Sequence, residues 1–574
     1  MQSDIAGTAV TEPGAPSDRR SHSGTTDGDD AARATRASRA RLAMGAALLI
    51  GALLRLAQYA VNRSLWLDEG LLVSNFLDRS WAGLLEPFHR GQTAPLGFLA
   101  LEKLAVAALG RSEYALRLFP LLAGLATLAL LPRVARRYLT RPALPLGVAI
   151  VALAPYLVYY SSEVKQYACD ALVSLGVLAL AHAAARRPRD ARTAAAFGLL
   201  GVVALWFSQP AAFMLGGTGL VLGIRALRRR DWKAVRLLAG VAAAWAASFL
   251  PAFLYARHQL EDPEYMRAFW RVGFFPLLPR DAFEWTWLPR MIARAFREPM
   301  GVMGMDESPL STVGVAAALL LFAAGCAWMA RRKRLHLALL LAPAGMVLAA
   351  SAAKVYPFGG EFLSGGRVLV FLLPSFAFVM AEGAASLGRW VKGPAGRAAF
   401  VAGAALALLP AGAYAALSVP HLRAEVKPLL RWVNENRQPG DVMYVYYNGQ
   451  SVFEYYAPRY GWNRSNTIAG VCSRFRPQGY VDQIGELRGR RRVWVLMVSG
   501  ASVRGFEEDQ VIVDFFEHIG KRLDDRVTVG ARMYLYDLGA EGPPPGPFRV
   551  TVPPLWLDPA MDCRGAWEPL NQLR

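Results

Sequence analysis

Twelve apolar runs of 15 to 20 residues punctuate the chain, and short segments dense in arginine separate many of them. At 1.5 Å of rise per residue, runs of this length come close to spanning a hydrocarbon layer of roughly 30 Å. The pattern predicts an α-helical polytopic membrane protein. The basic segments "RVARRYLTR" (133–141), "RRPRDAR" (186–192), "RALRRRDWKAVR" (225–236), "RRKR" (331–334) and "RWVKGPAGR" (389–397) should share the cytoplasmic face. Consecutive basic segments then need an even number of crossings between them. Runs 143–160 with 167–185, 194–208 with 210–224, 236–255 with 311–330, and 336–353 with 367–385 supply these. Run 42–61 leads out, 115–132 returns, and 398–417 leads out again. The stretch 95–109 is short for a span and holds Glu102 and Lys103, so it is expected to lie along the outer interface, as is 70–82. The expectation is eleven spans, with the amino end inside and the carboxyl end outside.

After Pro420 the periodicity changes. "VMYVYY" (442–447), "RVWVLMV" (492–498) and "RMYLYDL" (532–538) read as strands, and "AEVKPLLRWVNENRQPGD" and "FEEDQVIVDFFEHIGKRL" (506–523) as helices. The alternation predicts a soluble α/β domain with a largely parallel sheet. The expected organisation is a disordered cytoplasmic tail (1–41), a transmembrane domain (42–418) and an extracytoplasmic α/β domain (419–574).

Composition sharpens this picture only in places. The 574 residues are 54% hydrophobic with a mean hydropathy of +0.25. A formal charge of +20 would suggest nucleic acid in a soluble chain, but here the arginines lie in the loops between apolar runs. Residues 1–40 are too poor in large apolar side chains to fold alone, and the first apolar run should act as an uncleaved anchor. Cys169 and Cys326 fall in apolar segments. Cys472 and Cys563 fall in the outer domain, where an oxidising compartment permits a disulfide between them. The cysteines show neither CxxC spacing nor a Cys/His cluster of the structural zinc type.

Candidate chemistry gathers at one membrane face. "SLWLDEGLL" (64–72) places Asp68 and Glu69 just beyond the first apolar run. Neighbouring side chains on a helix point about 100° apart, so the two acids are poorly placed to share one proton or ligand. Asp68 is either a helix cap, with Glu69 favouring the positive helix end, or a general base, with Glu69 holding a backbone or a metal. "YYSSEVKQYACD" places Glu163, Lys165 and Tyr167 at the outer end of another span, either as a local Glu163–Lys165 pair or as a site for an anionic group. Lys354, Tyr356, Glu361 and Arg367 flank a glycine-rich outer loop, where the two cations either anchor the interface or grip a phosphate. Arg55, inside the first span, either snorkels outward or binds an acid or phosphate; His89 is either a proton shuttle or a plain loop histidine.

The segments "LLRL", "NRSLWLDEGLL", "TAPLGFLALEKLAVAALGRSEYALRLFPLLAG" and "YYSSEVKQYACDAL" resemble the family 39-like glycosyltransferases of the GT-C superfamily, which include protein O-mannosyltransferases and the lipid A aminoarabinose transferase. The resemblance covers about 45–390, and its most specific element is the Asp-Glu pair. It implies transfer of a hexose or pentose, with inversion, from a polyprenyl-phosphate donor to a protein, lipid or polysaccharide acceptor at the outer face of the cytoplasmic membrane. Carried over, Asp68 is the general base, Glu69 supports it or binds the acceptor, and Glu163 belongs to a second acidic outer segment. Lys165, Arg367, Lys354 and Tyr167 surround the lipid phosphate. Where many relatives carry a His-Pro-Pro-like sequence this chain has "QTAPLG" (92–97), and where many carry Arg it has Lys165. No cofactor is assigned. A divalent cation is an open alternative, with Asp68 and Glu163 as its carboxylates, although no dense acidic cluster demands one. Two other readings compete: a transporter or flippase for a lipid-linked glycan, and a scaffold presenting the outer domain. A transporter should show polar groups or helix breaks at the midplane of paired spans.

Overall fold

The computed structural model describes residues 24–297, 309–360, 365–391, 419–473, 478–498, 502–503 and 506–539, with isolated positions 393, 394, 396, 400 and 548. Its membrane part runs through helices α1 (Gly24–Ala60), α2 (Leu67–Phe76), α3 (Leu96–Leu109), α4 (Glu113–Tyr138), α5 (Leu144–Ala152), α6 (Pro155–Tyr160), α7 (Tyr167–Arg186) and α8 (Ala191–Ala204). It continues through α9 (Ala211–Arg228), α10 (Trp232–Gln259), α11 (Pro263–Phe269), α12 (Ala282–Trp285), α13 (Trp287–Arg297), α14 (Pro309–Arg332), α15 (Arg334–Ala352) and α16 (Leu373–Leu387). Eight of the described helices are long and apolar enough to cross a membrane: α1, α4, α7, α9, α10, α14, α15 and α16 with the 3-10 turn before it. The chain is a polytopic membrane protein with a small C-terminal sheet domain.

The eleven expected spans resolve differently. Run 194–208 forms only the 14-residue α8. Run 143–160 breaks into α5 and α6, and run 398–417 lies almost wholly outside the described residues. The break has a local cause. Pro155 has no backbone N–H to continue the helix, and Arg55 of α1 donates to the Ala152 carbonyl at the break (2.8 Å) and to Gly51 O (2.8 Å). Arg55 therefore neither snorkels nor meets an acid. At the amino end, the chain is helical from Gly24, where a structureless tail is expected as far as residue 41.

Burial ranks the helices. Within α16 and its preceding turn 89% of the apolar window is buried, against 17% in α10, so α16 is central and α10 faces lipid. Helices α14 and α16 approach closely enough that a Cβ on Gly383 would lie 1.8 Å from Leu321 O. Helices α4, α7, α9 and α14 carry arginines in their last turns. These ends meet at one face, where His182 stacks on His336, Arg225 donates to Ala185 O, and Lys333 donates to both Tyr138 O and the buried Glu382 (2.9 Å). The first turns of α4 and α7 lie at the opposite face, with the acidic motifs.

In the C-terminal domain the strands are β1 (Val442–Val445), β2 (Thr467–Ala469), β3 (Val493–Val498), β4 (Ser502–Val503), β5 (Phe506–Glu507), β6 (Lys521–Thr528) and β7 (Ala531–Asp537). The main sheet has the order β2-β1-β3-β7-β6; β1 pairs parallel with β2 and β3, while β7 pairs antiparallel with β3 and β6. It is a mixed sheet rather than a largely parallel one. The expected helix 506–523 is shorter (Glu508–Ile519) because the chain turns into β6. Cys472 is disulfide-bonded; its expected partner, Cys563, lies outside the described residues.

Alternation across the sheet directs two cores. Val442, Tyr444, Val493 and Val495 face one built within the domain. Met443, Val445, Trp494 and Leu496 face a second, which also contains Leu65, Trp66, Leu72 and Phe76 of the first outer loop. Helix α2 is thus covered by the domain instead of lying free at the interface. Its Gly70 touches the helix Gln450–Tyr456, where a Cβ would stand 2.9 Å from Val452 N.

Replacing Gly383 by valine should push α14 and α16 apart and cost at least about 1–3 kcal/mol, read as a lower thermal midpoint in detergent. Gly345→Ala on α15, where nothing lies within 4 Å of the added Cβ, should leave the midpoint unchanged.

Candidate active site

The site is built on the turn between α1 and α2. Trp66 is the residue at the N-cap of α2, in extended backbone form. Glu69, three positions on, folds its side chain back to accept the Trp66 N–H (3.2 Å). The capping expected of Asp68 is therefore done by Glu69.

Glu69 has no exposure. Its carboxylate accepts from Arg63 Nη1 (2.7 Å) and Nη2 (3.2 Å), from Arg117 Nε (2.9 Å) and Nη2 (2.8 Å), and from the Val164 N–H (3.0 Å). Spare donors on the same arginines hold carbonyls: Arg63 Nη2 reaches Ser162 O (2.8 Å), and Arg117 reaches Arg63 O (2.7 Å) and Ser64 O (3.1 Å). Burial pushes the Glu69 carboxyl up, but Arg117 and Arg63 outweigh it and hold it at about 2. One carboxylate thus joins the first outer loop, α4 and the turn before α7.

Asp68, one residue earlier, points away from that lock. Its side chain is 15% exposed, and Oδ2 accepts from Arg367, near the start of the 3-10 turn Gly365–Leu372. Oδ1 has no hydrogen-bond partner among the described residues. Burial pushes the Asp68 carboxyl up, and Arg367, Lys165 and Arg423 more than offset this, leaving it below its ordinary range. Glu163 is buried; Oε1 accepts from Trp66 Nε1 (2.7 Å), and Oε2 has no hydrogen-bond partner among the described residues. Burial raises its carboxyl, opposed by Arg423 and reinforced by Glu69. Lys165 donates to Gln92 Oε1 (2.7 Å) rather than to Glu163, and burial lowers its ammonium against the pull of Asp68. Aromatic rings line the group. Tyr167 lies 4.7 Å from Tyr160 between ring centres, Arg367 is 5.8 Å from the Trp270 ring centre, and Arg423 stacks on Trp66 (4.2 Å) and Tyr159 (4.6 Å).

The structure therefore brings together Asp68, Glu69, Glu163, Lys165, Tyr167 and Arg367. Lys354 is exposed beyond the end of α15 and is not among the cations acting on Asp68. Tyr356 donates to Val368 O (3.0 Å), and Glu361 lies outside the described residues. His89, about half exposed, lies 3.3 Å from Glu261 and has no part in the cluster. Three members escaped the sequence reading. Arg63 and Arg117 carried signals, one beside the Asp-Glu motif and one an ionisable group within an apolar run. Arg423 lies more than 350 positions from Asp68 and carried none.

Three carboxylates (Asp68, Glu69, Glu163) thus share the cluster with five cations (Arg63, Arg117, Lys165, Arg367, Arg423). That balance does not fit a divalent cation. Glu69 is filled by two guanidiniums, three cations act on Asp68, and no group of three metal-binding side chains occurs among the described residues. The balance suits an anion.

No protein-family model and no curated protein matches the chain. Solved structures similar to it include ArnT from Cupriavidus metallidurans bound to undecaprenyl phosphate, with 15% identity, 86% of this chain and 98% of that one covered, and a TM-score of 0.49. Another is the archaeal oligosaccharyltransferase AglB from Archaeoglobus fulgidus in complex with an inhibitory peptide and a dolichol-phosphate, with 13% identity, 86% and 74% covered, and a TM-score of 0.44. At these identities and scores the likeness decides nothing about residues or chemistry.

Removing Glu69 strands two buried guanidiniums. Glu69→Ala should cost about 3–5 kcal/mol and yield aggregated or low-melting protein, whereas Asp68→Asn, at a partly exposed position, should shift the midpoint little. Equal melting of Glu69→Ala and the parent in detergent would show that the lock does not hold the fold.

Proposed function

We propose that the chain transfers a sugar, with inversion, from a polyprenyl-phosphate donor to an acceptor hydroxyl at the outer face of the cytoplasmic membrane. The observation that carries this reading is a partly exposed carboxylate surrounded by a surplus of cations at the end of a helix bundle. The bundle offers lipid access, the cations suit a phosphate, and the carboxylate suits a proton. The resemblance of the quoted motifs to GT-C glycosyltransferases points the same way. Arginine-rich helix ends on the opposite face support the orientation by the positive-inside bias.

In this reading Arg367 and Lys165 bind the donor phosphate, and Tyr167 lends a hydroxyl. Arg367 also explains how a carboxylate held at low basicity becomes a base. In the free protein it pairs with Asp68; an arriving phosphate competes for the same guanidinium. As Arg367 turns to the phosphate, Asp68 loses its strongest counter-charge and gains basicity. The acceptor oxygen then attacks the anomeric carbon opposite the phosphate and its proton passes to Asp68. The bond from the anomeric carbon to the phosphate oxygen breaks, and its electron pair leaves with the phosphate. Phosphate is a capable leaving group, so positioning and charge stabilisation suffice without a covalent sugar–protein intermediate. Glu69 stays locked throughout, and the unpartnered Oε2 of Glu163 accepts a hydroxyl of the sugar or the acceptor.

With a panel of polyprenyl-phosphate hexoses and pentoses, Asp68→Asn should lower transfer by about 10²–10⁴-fold while donor binding persists. Arg367→Ala should weaken donor binding first; the reverse pattern sinks the assignment. The pH profiles give a second test. In the free protein Asp68 sits below the ordinary carboxylate range, so kcat/KM should hold as pH falls through that range and drop only beneath it. Once Arg367 has moved to the phosphate, the acid limb of kcat should stand at higher pH. Coincident limbs would contradict the exchange of partners.

A further inference from the structure

The cluster contains one cation that the membrane helices do not supply. Arg423 lies ahead of the helix Val426–Asn436, on the segment leading into the C-terminal domain. Its guanidinium lies over the Trp66 ring (4.2 Å) and the Tyr159 ring (4.6 Å), beside the indole that donates to Glu163. The chain on its carboxyl side is fastened to the membrane part. Glu425 accepts from Ser64 N (3.1 Å) and Ser64 Oγ (3.1 Å), and Lys427 N donates to Ser64 Oγ (3.0 Å). Lys427 and Arg459 pair with Glu113 of α4 (3.2 and 3.5 Å). Tyr456 OH donates to the same Glu113 (2.8 Å) and accepts from Leu65 N (2.9 Å). On the other side, Gln58 of α1 exchanges hydrogen bonds with the His421 backbone (2.8 and 3.0 Å). Arg423 is therefore held at the cluster from both sides, by α1 through His421 and by the docked domain through Glu425 and Lys427.

Charge gives this position a use. A sugar phosphodiester carries one negative charge, and the phosphate it releases carries up to two. Of the four cations from the membrane part, Arg63 and Arg117 are committed to Glu69. Lys165 and Arg367 remain for the phosphate, and Asp68 competes for Arg367. We propose that Arg423 is a further ligand of the lipid phosphate, stabilising the charge that develops as the glycosyl bond breaks, and that the C-terminal domain completes the site by delivering it. The lipid phosphate as ligand rests on the function proposed above.

The test uses full-length protein in lipid nanodiscs, with equilibrium binding of polyprenyl monophosphate, uncharged polyprenol and inorganic phosphate. Arg423→Ala should weaken polyprenyl monophosphate binding by about tenfold or more, the loss of a charge-assisted contact. Polyprenol binding should not change, and Arg423→Lys should fall between. Glu113→Gln, which loosens docking at a distance, should reproduce the loss and add nothing in the Arg423→Ala background. With an active donor, kcat should fall more than donor KM rises. An Arg423→Ala protein that melts like the parent and binds polyprenyl monophosphate equally well overturns the proposal. Additive losses from Glu113→Gln and Arg423→Ala overturn the coupling to docking. A loss confined to inorganic phosphate overturns the lipid as ligand. If the parent transfers no sugar yet binding falls as expected, glycosyl transfer fails while Arg423 keeps its role; transfer unaffected by Arg423→Ala has the opposite meaning.

Discussion

Glu69, wholly buried between Arg63 and Arg117, sets the position of the other groups in the site. Its carboxylate and the two guanidiniums satisfy one another and take up the Trp66 and Val164 N–H groups and three carbonyls as well. A charge at that depth is tolerable only when paired in this way. The pairing also fixes the direction of α2, because Glu69 is bonded both to the backbone at its start and to α4. Asp68 then faces about 100° away by helical geometry alone. Two chemically similar neighbours acquire different surroundings, one dry and held by two guanidiniums, the other partly exposed with Arg367 as its hydrogen-bond partner.

That separation keeps the mobile chemistry apart from the structural charge. Arg63 and Arg117 have little freedom, since each holds a carbonyl besides the carboxylate. Arg367 and Lys165 each hold a single side-chain oxygen, from Asp68 and Gln92. Cations with one such partner can change partners at modest cost, while those in the lock cannot. The aromatic rings of Trp66, Tyr159 and Trp270 lie against the guanidiniums and give them a surface without consuming a hydrogen-bond donor.

Apolar run length identified most of the membrane helices, and acids and bases at the run edges identified Asp68, Glu163, Lys165 and Arg367. These are legible because an ionisable group beside an apolar run stands out. What stayed hidden has physical reasons. The break between α5 and α6 sits inside a run whose hydropathy hardly changes there, and Arg55, which meets the freed carbonyl, belongs to another helix. β6 is almost entirely exposed, with charged residues on both faces, so no alternation marks it. Lys354 shares its loop with Arg367 but ends in solvent. Arg423 is hidden by distance along the chain, since only folding brings it to Trp66.

The bonds between Ser64 and Glu425 join residues 361 positions apart. A growing chain inserts α1 through α4 long before Glu425, Lys427 or Tyr456 exists. During that interval the Ser64 and Leu65 N–H groups and the Glu113 carboxylate must rely on water and headgroups at the membrane surface. Loop-closure entropy rises only logarithmically with separation, so the wait adds little thermodynamic cost; its effect is on timing. The region around Asp68 acquires its final electrostatics only after synthesis has passed the last membrane segment and the sheet has begun to form. Assembly order is thereby built into the covalent sequence: the acids come first, and their last counter-charges arrive with the domain that covers them.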